Sequence, residues 1–127
     1  MPTYSENGKN SYTAAAAVAK GDILKFTTAD AQGLPSVTPT TAATDAAIAI
    51  ALTDANQGEK VAVKILGTGG TTLVKAGGAV AAGATIGATG ATAAAGNTAI
   101  GVALNAAAAS GDLVEVATVM PVVVPAS

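Results

Sequence analysis

The chain repeats a part of its own sequence, and this duplication constrains the fold more than any other feature. Residues 17–24 match residues 79–86, and the offset from 17 to 79 is 62 positions. Residues 48–63 match residues 100–116 in the same order, and the offset from 48 to 100 is 52 positions. Because each copy holds two apolar segments joined by a turn, the duplication predicts a pair of strands that is built twice. Chance similarity within an Ala/Gly-rich chain is the alternative.

The length and the scarcity of large apolar residues predict one small domain that depends on assembly. At 127 residues the chain has room for a single core. Half of the residues count as hydrophobic, but most of these are Ala, and only 2% of the chain is aromatic. At roughly 25 cal/mol per Å² of buried apolar surface, an Ala core contributes much less than a Leu/Phe core. The isolated subunit is therefore expected to be marginally stable, with contacts to neighbours supplying the remainder.

The charges and the missing residue types exclude several classes of function. The net charge is −2, and the six basic residues are scattered Lys without any Arg, whereas a surface that binds nucleic acid needs clustered Lys and Arg. His and Cys are also absent, which removes imidazole bases, thiolate nucleophiles, disulfides and the usual metal ligands. The N-terminus lacks the apolar core of a signal peptide, and no apolar run reaches the ~18 residues that span a bilayer. The chain is expected to be made in a cytosol and to stay soluble, with no membrane partner.

Alternating apolar residues predict several short strands. Ile48, Ile50 and Leu52 share one face of segment 45–52, which indicates a half-buried strand. Further apolar runs lie at 23–28, 60–66, 71–74, 99–104 and 113–119. Short strands separated by turns at this spacing are typical of a small barrel or sandwich. We therefore predict a mainly β fold, a single β-rich domain over residues 14–127 that contains an internally duplicated strand-pair unit.

Five other segments carry weaker signals. The Ala-rich run 14–19 has a high helix propensity, but its counterpart in the second copy contains Val, Thr and Gly, so both are expected to be extended. Two prolines and several Ser and Thr between residues 29 and 39 argue against regular structure. Residues 83–98 hold almost nothing large and are expected to form either a thin strand with a loop or a mobile segment, and residues 105–110 a helical turn. Prolines confine the tail 120–124 to a sheet edge or a bulge.

The first thirteen residues are polar and are predicted to form an extended N-terminal arm, 1–13. They contain two of the three aromatic residues of the chain, Tyr4 and Tyr12. Terminal segments of this kind are often disordered, which is the alternative. Because tyrosine buries a large area at a low entropy cost, the arm is expected to become ordered against a partner.

Two pairs of carboxylates are the candidates for catalysis: Asp54 with Glu59, and Asp112 with Glu115. A glycosidase places two such groups across a cleft, but clefts of this kind use aromatic platforms, which lie far away in this sequence. Turns and solvated strand faces account better for all four carboxylates. The segment that begins at Asp54 starts like a calcium loop, but it carries Glu59 where the sixth position requires Gly and Ile65 where the twelfth requires Glu. The sequence therefore predicts no enzyme activity, no cofactor and no metal site.

Residues 100–116 hold a Gly-Val-Ala segment, an Ala-rich turn, a Gly-Asp pair and an alternating Val strand. This arrangement resembles the closing part of the small capsid cement (decoration) proteins of tailed bacteriophages. Residues 75–83 resemble the segment that precedes it in that family, and the similarity extends over roughly residues 14–119. The stretch 84–98 departs from the family, whose members often carry larger residues there, so its strand layout stays open.

The resemblance implies a structural virion protein. Members of the family bind the outside of an expanded phage head, usually as β-rich homotrimers, and stabilise the head by clamping neighbouring subunits of the major capsid protein. They have no enzymatic activity and no cofactor. The chain would then be made in the host cytoplasm and end on the outer capsid surface, where an N-terminal arm often adds to the contact. The residues predicted to form this capsid-binding arm are Pro2, Thr3, Tyr4, Ser5, Glu6, Asn7 and Tyr12.

A repeat module of a surface fibre, an adhesin or an ice-binding surface is the main alternative. Its typical Thr and Ala content fits the sequence, but a regular Thr spacing is absent. A generic structural subunit, such as a tail or major capsid component, is a further alternative, although the short length argues against a major capsid protein. A small carbohydrate-active enzyme would have to rely on the four carboxylates named above.

Overall fold

The computed structural model describes residues 9–27, 35–67, 70–94 and 96–124, and all regular elements within them are β-strands. The mainly β fold predicted from the sequence is confirmed. The strands in chain order are β1 (Lys9–Ala14), β2 (Ile23–Thr27), β3 (Ser36–Pro39), β4 (Ala49–Ala51), β5 (Lys60–Ile65), β6 (Thr71–Lys75), β7 (Thr85–Gly87), β8 (Thr98–Ala103) and β9 (Leu113–Val123). Strands β1 to β5 form the first repeat, and strands β6 to β9 form the second.

The first repeat closes into a barrel with the strand order β1-β3-β2-β4-β5. Strand β1 is parallel to β3 and antiparallel to β5, and the other neighbours are antiparallel. Alternate residues point inward, so the interior holds one aromatic ring and a few branched side chains besides Ala. The largest residues of this interior are Tyr12, Leu24, Val37, Val61 and Val63.

The second repeat has the equivalent strand order but stays open where the first is closed. Its sheet runs β6-β9-β8-β7, which corresponds to β1-β5-β4-β2 of the first repeat. The corresponding residue pairs are Tyr12–Val61 and Val74–Val114 in the ladders, and Val18–Ala55 and Val80–Ala107 in the isolated bridges. The predicted duplication is therefore present in the fold, and it extends to β1 and β6, which the sequence comparison did not include.

A difference in length explains why the second repeat is open. Leu24 and Ile48 are separated by ten more positions than their counterparts Ile86 and Ile100, since the offset falls from 62 to 52. The longer connection contains β3, which lies between β1 and β2 and closes the first barrel. In the described part of the second repeat, the shorter connection keeps a single bridge at this place, from Ile86 to Thr92.

Two glycines let the shorter connection pack directly against β6. A Cβ atom at Gly90 would overlap the carbonyl oxygen of Lys75, and one at Gly77 would overlap the carbonyl oxygen of Thr89. Gly90 also has a φ of +82°, which residues with a side chain rarely adopt. The two backbones approach more closely than side chains would permit, and this contact takes the place of a strand equivalent to β3.

The open side of the second sheet receives the outer surface of the first barrel. Ile23 and Ile50 point away from the barrel interior and join a core that also contains Ile86, Ile100 and Val116 of the second repeat. The two repeats therefore share this core, which is separate from the interior of the first barrel, and the second repeat does not bury its large apolar residues alone. This arrangement offsets the scarcity of bulky residues, because the same few isoleucines serve both repeats.

Polar contacts also join the two repeats. The Lys75 N–H donates to the carbonyl of Gly21 at 2.8 Å, and Lys75 Nζ lies 3.1 Å from Asp22 Oδ1. The Thr98 N–H donates to the carbonyl of Ala43 at 2.9 Å. These bonds satisfy backbone groups that the contact between the repeats would otherwise leave unpaired.

Strand β4 is buried on both faces, which corrects the prediction of a half-buried strand at 45–52. Ala49 and Ala51 face the barrel interior, whereas Ile50 faces the second repeat. All three are fully or almost fully buried. The small Ala side chains lie inside the barrel, because a barrel of five strands leaves little space there. The larger Ile50 lies on the side that packs against the second repeat.

Two further predictions are wrong. Strand β3 lies within segment 29–39, which was predicted to be irregular, because its prolines flank the buried Ser36 and Val37 instead of interrupting them. No helical turn forms over 105–110, all of which is described. Ala107 makes an antiparallel bridge there instead, and the surrounding residues form turns and bends.

The expectations for the second half of the chain are confirmed in part. Strand β7 is the thin strand that was one of the two possibilities for segment 83–98. Strand β9 continues through most of the proline-flanked tail and contains the expected irregularity. Thr118 pairs with Gly101 and Val122 pairs with Ala99, so three residues of β9 face one residue of β8.

Candidate functional site

Most of the predicted capsid-binding arm lies outside the described residues, and its role stays a prediction. Residues 9–13 were assigned to the same arm, but they form most of β1 and pair with β5 in the barrel. Of the predicted arm, residues 9–13 therefore belong to the barrel. The predicted contact residues that precede the described part of the chain are Pro2, Thr3, Tyr4, Ser5, Glu6 and Asn7.

Tyr12 lies inside the first barrel. Only 7% of the residue is exposed, it is opposite Val61 on β5, and its ring meets Phe26 edge to face, with a centroid distance of 5.5 Å and an interplanar angle of 80°. Edge-to-face pairs of this kind stabilise a core beyond the area that they bury. A capsid contact by Tyr12 stays a prediction, but its ring already anchors the strand from which the arm begins.

Several large apolar side chains of the second sheet are exposed, and four of them lie together on its outer side. We call this surface the leucine face; it consists of Leu73, Val102, Leu104 and Leu113, each 38% to 50% exposed. Their neighbours along β6, β8 and β9 point into the core, because successive residues of a strand face opposite sides of the sheet. Contiguous exposed apolar surfaces on soluble proteins are typical of sites that bind another protein.

Glu115 lies at the centre of the leucine face. It pairs across the sheet with Leu73, and its carbonyl accepts the Leu104 N–H at 2.8 Å. Leu113 precedes it by two residues on the same side of β9, and Thr71 Oγ1 donates to Glu115 Oε2 at 2.9 Å. Because burying an ionised carboxylate is costly unless it is fully hydrogen-bonded or paired with a positive charge, a partner that covers these leucines must also bring a positive charge or further hydrogen-bond donors.

The first repeat provides an internal comparison for this surface. Its equivalent side, on β1 and β5, is polar and basic. At the corresponding positions, the first repeat carries Ser11, Lys60, Ala62 and Lys64, and the second carries Leu73, Leu113, Glu115 and Ala117. Since both repeats use the same backbone pairing, the fold does not require a leucine at position 73, whereas Leu113 also packs against Gly21 of the first repeat. The exposed apolar side chain of Leu73 therefore points to a contact outside the chain.

Of the two carboxylate pairs considered for catalysis, Asp54 and Glu59 line one open cavity together with Asp22. Each of the four candidate carboxylates accepts a hydrogen bond. Glu115 accepts from Thr71, and the other three accept from backbone N–H groups of turns, which is the role expected of them. Among the described residues, no group of three or more His, Cys, Asp or Glu is placed to hold a metal ion. Nor do these residues include a helix long and apolar enough to cross a membrane. The backbone N–H of Lys20 donates to the carboxylate of Asp54 at 2.7 Å, and that of Asn56 donates to Glu59 at 2.8 Å. The backbone N–H groups of Ala108 and Ala109 both donate to the carboxylate of Asp112 at 3.2 Å.

Within the described residues, Asp45 is a carboxylate whose ionisation is clearly changed by the fold. Backbone N–H groups of Ala42 and Thr41 donate to its side chain at 3.0 and 2.8 Å, and Lys25 Nζ lies 3.1 Å away. These donors favour the charged form, chiefly the N–H of Ala42, and lower the pKa of Asp45 from 3.8 to about 2. The carboxylate thereby holds the turn that carries the chain from β3 to β4.

Local sequence patterns do not mark the leucine face. Alternation shows that β6 and β9 have two different sides, but it does not show which apolar residues a partner would cover. A position-by-position comparison of the two repeats does indicate this surface. Leu73 and Leu113 of the second repeat stand where the first repeat has Ser11 and Lys60, while the buried positions are apolar in both repeats.

Comparisons with known proteins agree with this architecture. The model of a family described as phage cement protein matches residues 5–118, which include both repeats. No curated protein sequence matches the chain.

A solved structure, the N base of the head fibre protein gp8.5 of bacteriophage phi29, has a similar fold. The TM-score is 0.67, and the alignment covers 87% of this chain and 92% of that one. At 20% sequence identity, this likeness establishes the fold alone.

Proposed function

Because this chain belongs to the phage cement protein family, we propose that it binds the outside of an expanded phage capsid and clamps neighbouring capsid subunits together. The family itself gives the chain a structural role in association with the capsid. The observation that carries the proposal is the family match over residues 5–118, since it spans both repeats and nearly all of the described fold. The partner is the major capsid protein, and the chain ends on the outer surface of the virion after synthesis in the host cytoplasm.

The proposed mechanism is thermodynamic and involves no reaction. A ligand that binds only the expanded shell shifts the equilibrium toward that shell. Capsid symmetry presents many equivalent sites, so that a modest contact at each site adds up over the particle. The protein needs no cofactor for this role, and its scattered lysines indicate no nucleic-acid partner.

We further propose that residues 2–7 make the arm contact with the capsid. This segment leads directly into β1, whose position is fixed by the pairing with β5 and by the buried ring of Tyr12. When extended, the eight residues before β1 reach about 26 Å at ~3.3 Å per residue, which is enough to extend onto a neighbouring subunit. An extended arm can add a strand to a neighbour's sheet, where backbone hydrogen bonds supply affinity.

The proposal is tested on heads of the parent phage that lack this protein, prepared before and after expansion. The purified chain should co-sediment with expanded heads, should leave unexpanded heads undecorated, and should raise the temperature at which expanded heads lose their contents. Deleting residues 1–8 should abolish decoration without changing the melting temperature of the free protein. Failure of the full chain to bind expanded heads refutes the function, and normal binding of the truncated chain refutes the arm.

A second candidate function is supported by the fold comparison. The similar structure is the base of a head fibre, so this chain would instead be the base that attaches a fibre to the head. Electron microscopy of decorated heads separates the two functions. A cement protein gives compact knobs at many lattice positions, whereas a fibre base gives elongated projections.

A further inference from the structure

We propose that the leucine face is a self-association surface, on which a second copy of this chain docks with the basic side of its first barrel. This basic side, the lysine face, consists of Ser11, Thr13, Lys60, Ala62 and Lys64 on the outer side of β1 and β5. The inference rests on the self-association, as a homotrimer, that a cement function includes. It does not require that the capsid contact uses the arm.

The charge of the leucine face selects this partner. Two leucine faces meeting each other would bring two Glu115 carboxylates into one apolar contact, which is unfavourable. Lys60 and Lys64 lie on one side of β5, four residues apart and with Ala62 between them. They can place an ammonium group beside Glu115 while their aliphatic stems cover the leucines. Lys75 also lies on this side of the sheet, opposite Leu113, but its ammonium group is paired with Asp22 of the same chain. The second copy therefore supplies a positive charge for Glu115 and aliphatic stems that cover the leucines.

Ser11 and Lys60 of the lysine face are exposed in each copy. The other outer side of the first barrel, which carries Ile23 and Ile50, is already covered by the second repeat of the same chain. Lys60 is exposed, and its ammonium group donates to Thr13 Oγ1 at 2.9 Å, a bond that a carboxylate can replace. Because the two faces are different surfaces, the contact is head-to-tail, and such contacts close into a ring when the rotation between copies permits.

The same internal comparison supplies the test variant. The double substitution Leu73→Ser with Ala117→Lys gives the second repeat the residues that the first repeat carries at the same positions, Ser11 and Lys64. Leu113 is left unchanged because its Cδ2 atom lies close to Gly21 of the first repeat. Val123→Ser is the matched control, since Val123 is 65% exposed and pairs with Thr98 beyond the bulge of β9.

Sedimentation equilibrium of the purified full chain, from micromolar to millimolar concentration, measures the association. The wild-type chain and the control should associate equally, and the double variant should dissociate at least about tenfold more readily. Glu115→Lys alone should weaken association to a similar degree. Adding Lys60→Glu and Lys64→Glu to Glu115→Lys should restore it, because every head-to-tail contact then regains an opposite pair. Circular dichroism of each variant verifies that the fold is retained.

Three results would overturn the inference. A wild-type chain that stays monomeric over the whole range has no such surface, and a double variant that associates like the wild type places the contact elsewhere. Loss of association in Glu115→Lys without recovery in the triple variant removes the lysine face as the partner. Binding of the same variants to expanded heads is measured separately, so a failed association test is distinguishable from a failed capsid function.

Discussion

Replacing Gly90 with Ala tests whether backbone contact closes the second repeat in place of a strand. At Gly90 the φ angle is +82°, and a Cβ atom would overlap the Lys75 carbonyl and lie 3.0 Å from the Gly77 nitrogen. Gly111 is the matched control, because its φ is +93° but a Cβ atom there has nothing within 4 Å. The two substitutions therefore share the conformational cost and differ in the steric one.

The expected losses of unfolding free energy follow from this difference. A left-handed backbone costs a residue with a side chain about 1–2 kcal/mol, so Gly111→Ala should lose this amount. Gly90→Ala should lose about 1–3 kcal/mol more, which is typical of forcing an extra carbon into a packed site. For a chain of this length, each kcal/mol lowers the melting temperature by roughly 3–6 °C.

Urea unfolding followed by far-ultraviolet circular dichroism measures both variants under the same conditions. The midpoint should fall further for Gly90→Ala, with an unchanged slope if only stability is affected. Equal losses in the two variants would show that the segment after β7 does not press against β6, and the account of how the second repeat closes would be wrong.

Three further predictions concern the ion pairs and the arm. Asp45 has a pKa of about 2 in the folded state, below its ordinary 3.8, so its stabilising effect is present above about pH 4 and is lost as the pH falls toward 2. Asp45→Asn should flatten the dependence of melting temperature on pH in that window. An unchanged profile would contradict the low pKa of Asp45. Lys75→Ala removes the partially exposed ion pair to Asp22 and should lower the unfolding free energy by less than about 1 kcal/mol in chemical denaturation, so a loss several times larger would show that the pair matters more than its exposure suggests. Deleting 1–8 should leave the melting temperature of the free protein unchanged, whereas deleting 1–12 removes most of a barrel strand and should give an unfolded chain by circular dichroism.

The sequence predicted the doubled strand scaffold because alternation and turn residues are local signals. It did not predict β3, since prolines 35 and 39 read as breakers when the chain is taken residue by residue. In the fold these prolines stand just before the strand and at its last position, where a missing N–H interrupts little of the ladder. Pairing between distant segments decided the outcome, and such pairing leaves no local signal.

The burial of β4 was also beyond local reasoning. A segment of alternating Ile and Ala predicts one covered side, but the second covered side exists only because another repeat packs there. Likewise, the polar sequence around Tyr12 did not indicate that its ring is buried in the barrel, and the predicted contact of Tyr12 with the capsid stays a prediction. Tertiary context overrode the local pattern in both cases.

The unequal closure of the two repeats also sets an order of assembly during synthesis. Every strand of the closed barrel lies before residue 66, so the earlier half can complete its ladder while the later half is still being translated. The later half has no such independence, because Ile86 and Ile100 find their covering only against Ile23 and Ile50. The first repeat, which is synthesised first, thus provides the surface on which the second repeat folds. In a circularly permuted chain that is synthesised with the second repeat first, the apolar side of that repeat would stay exposed until the first repeat has been made.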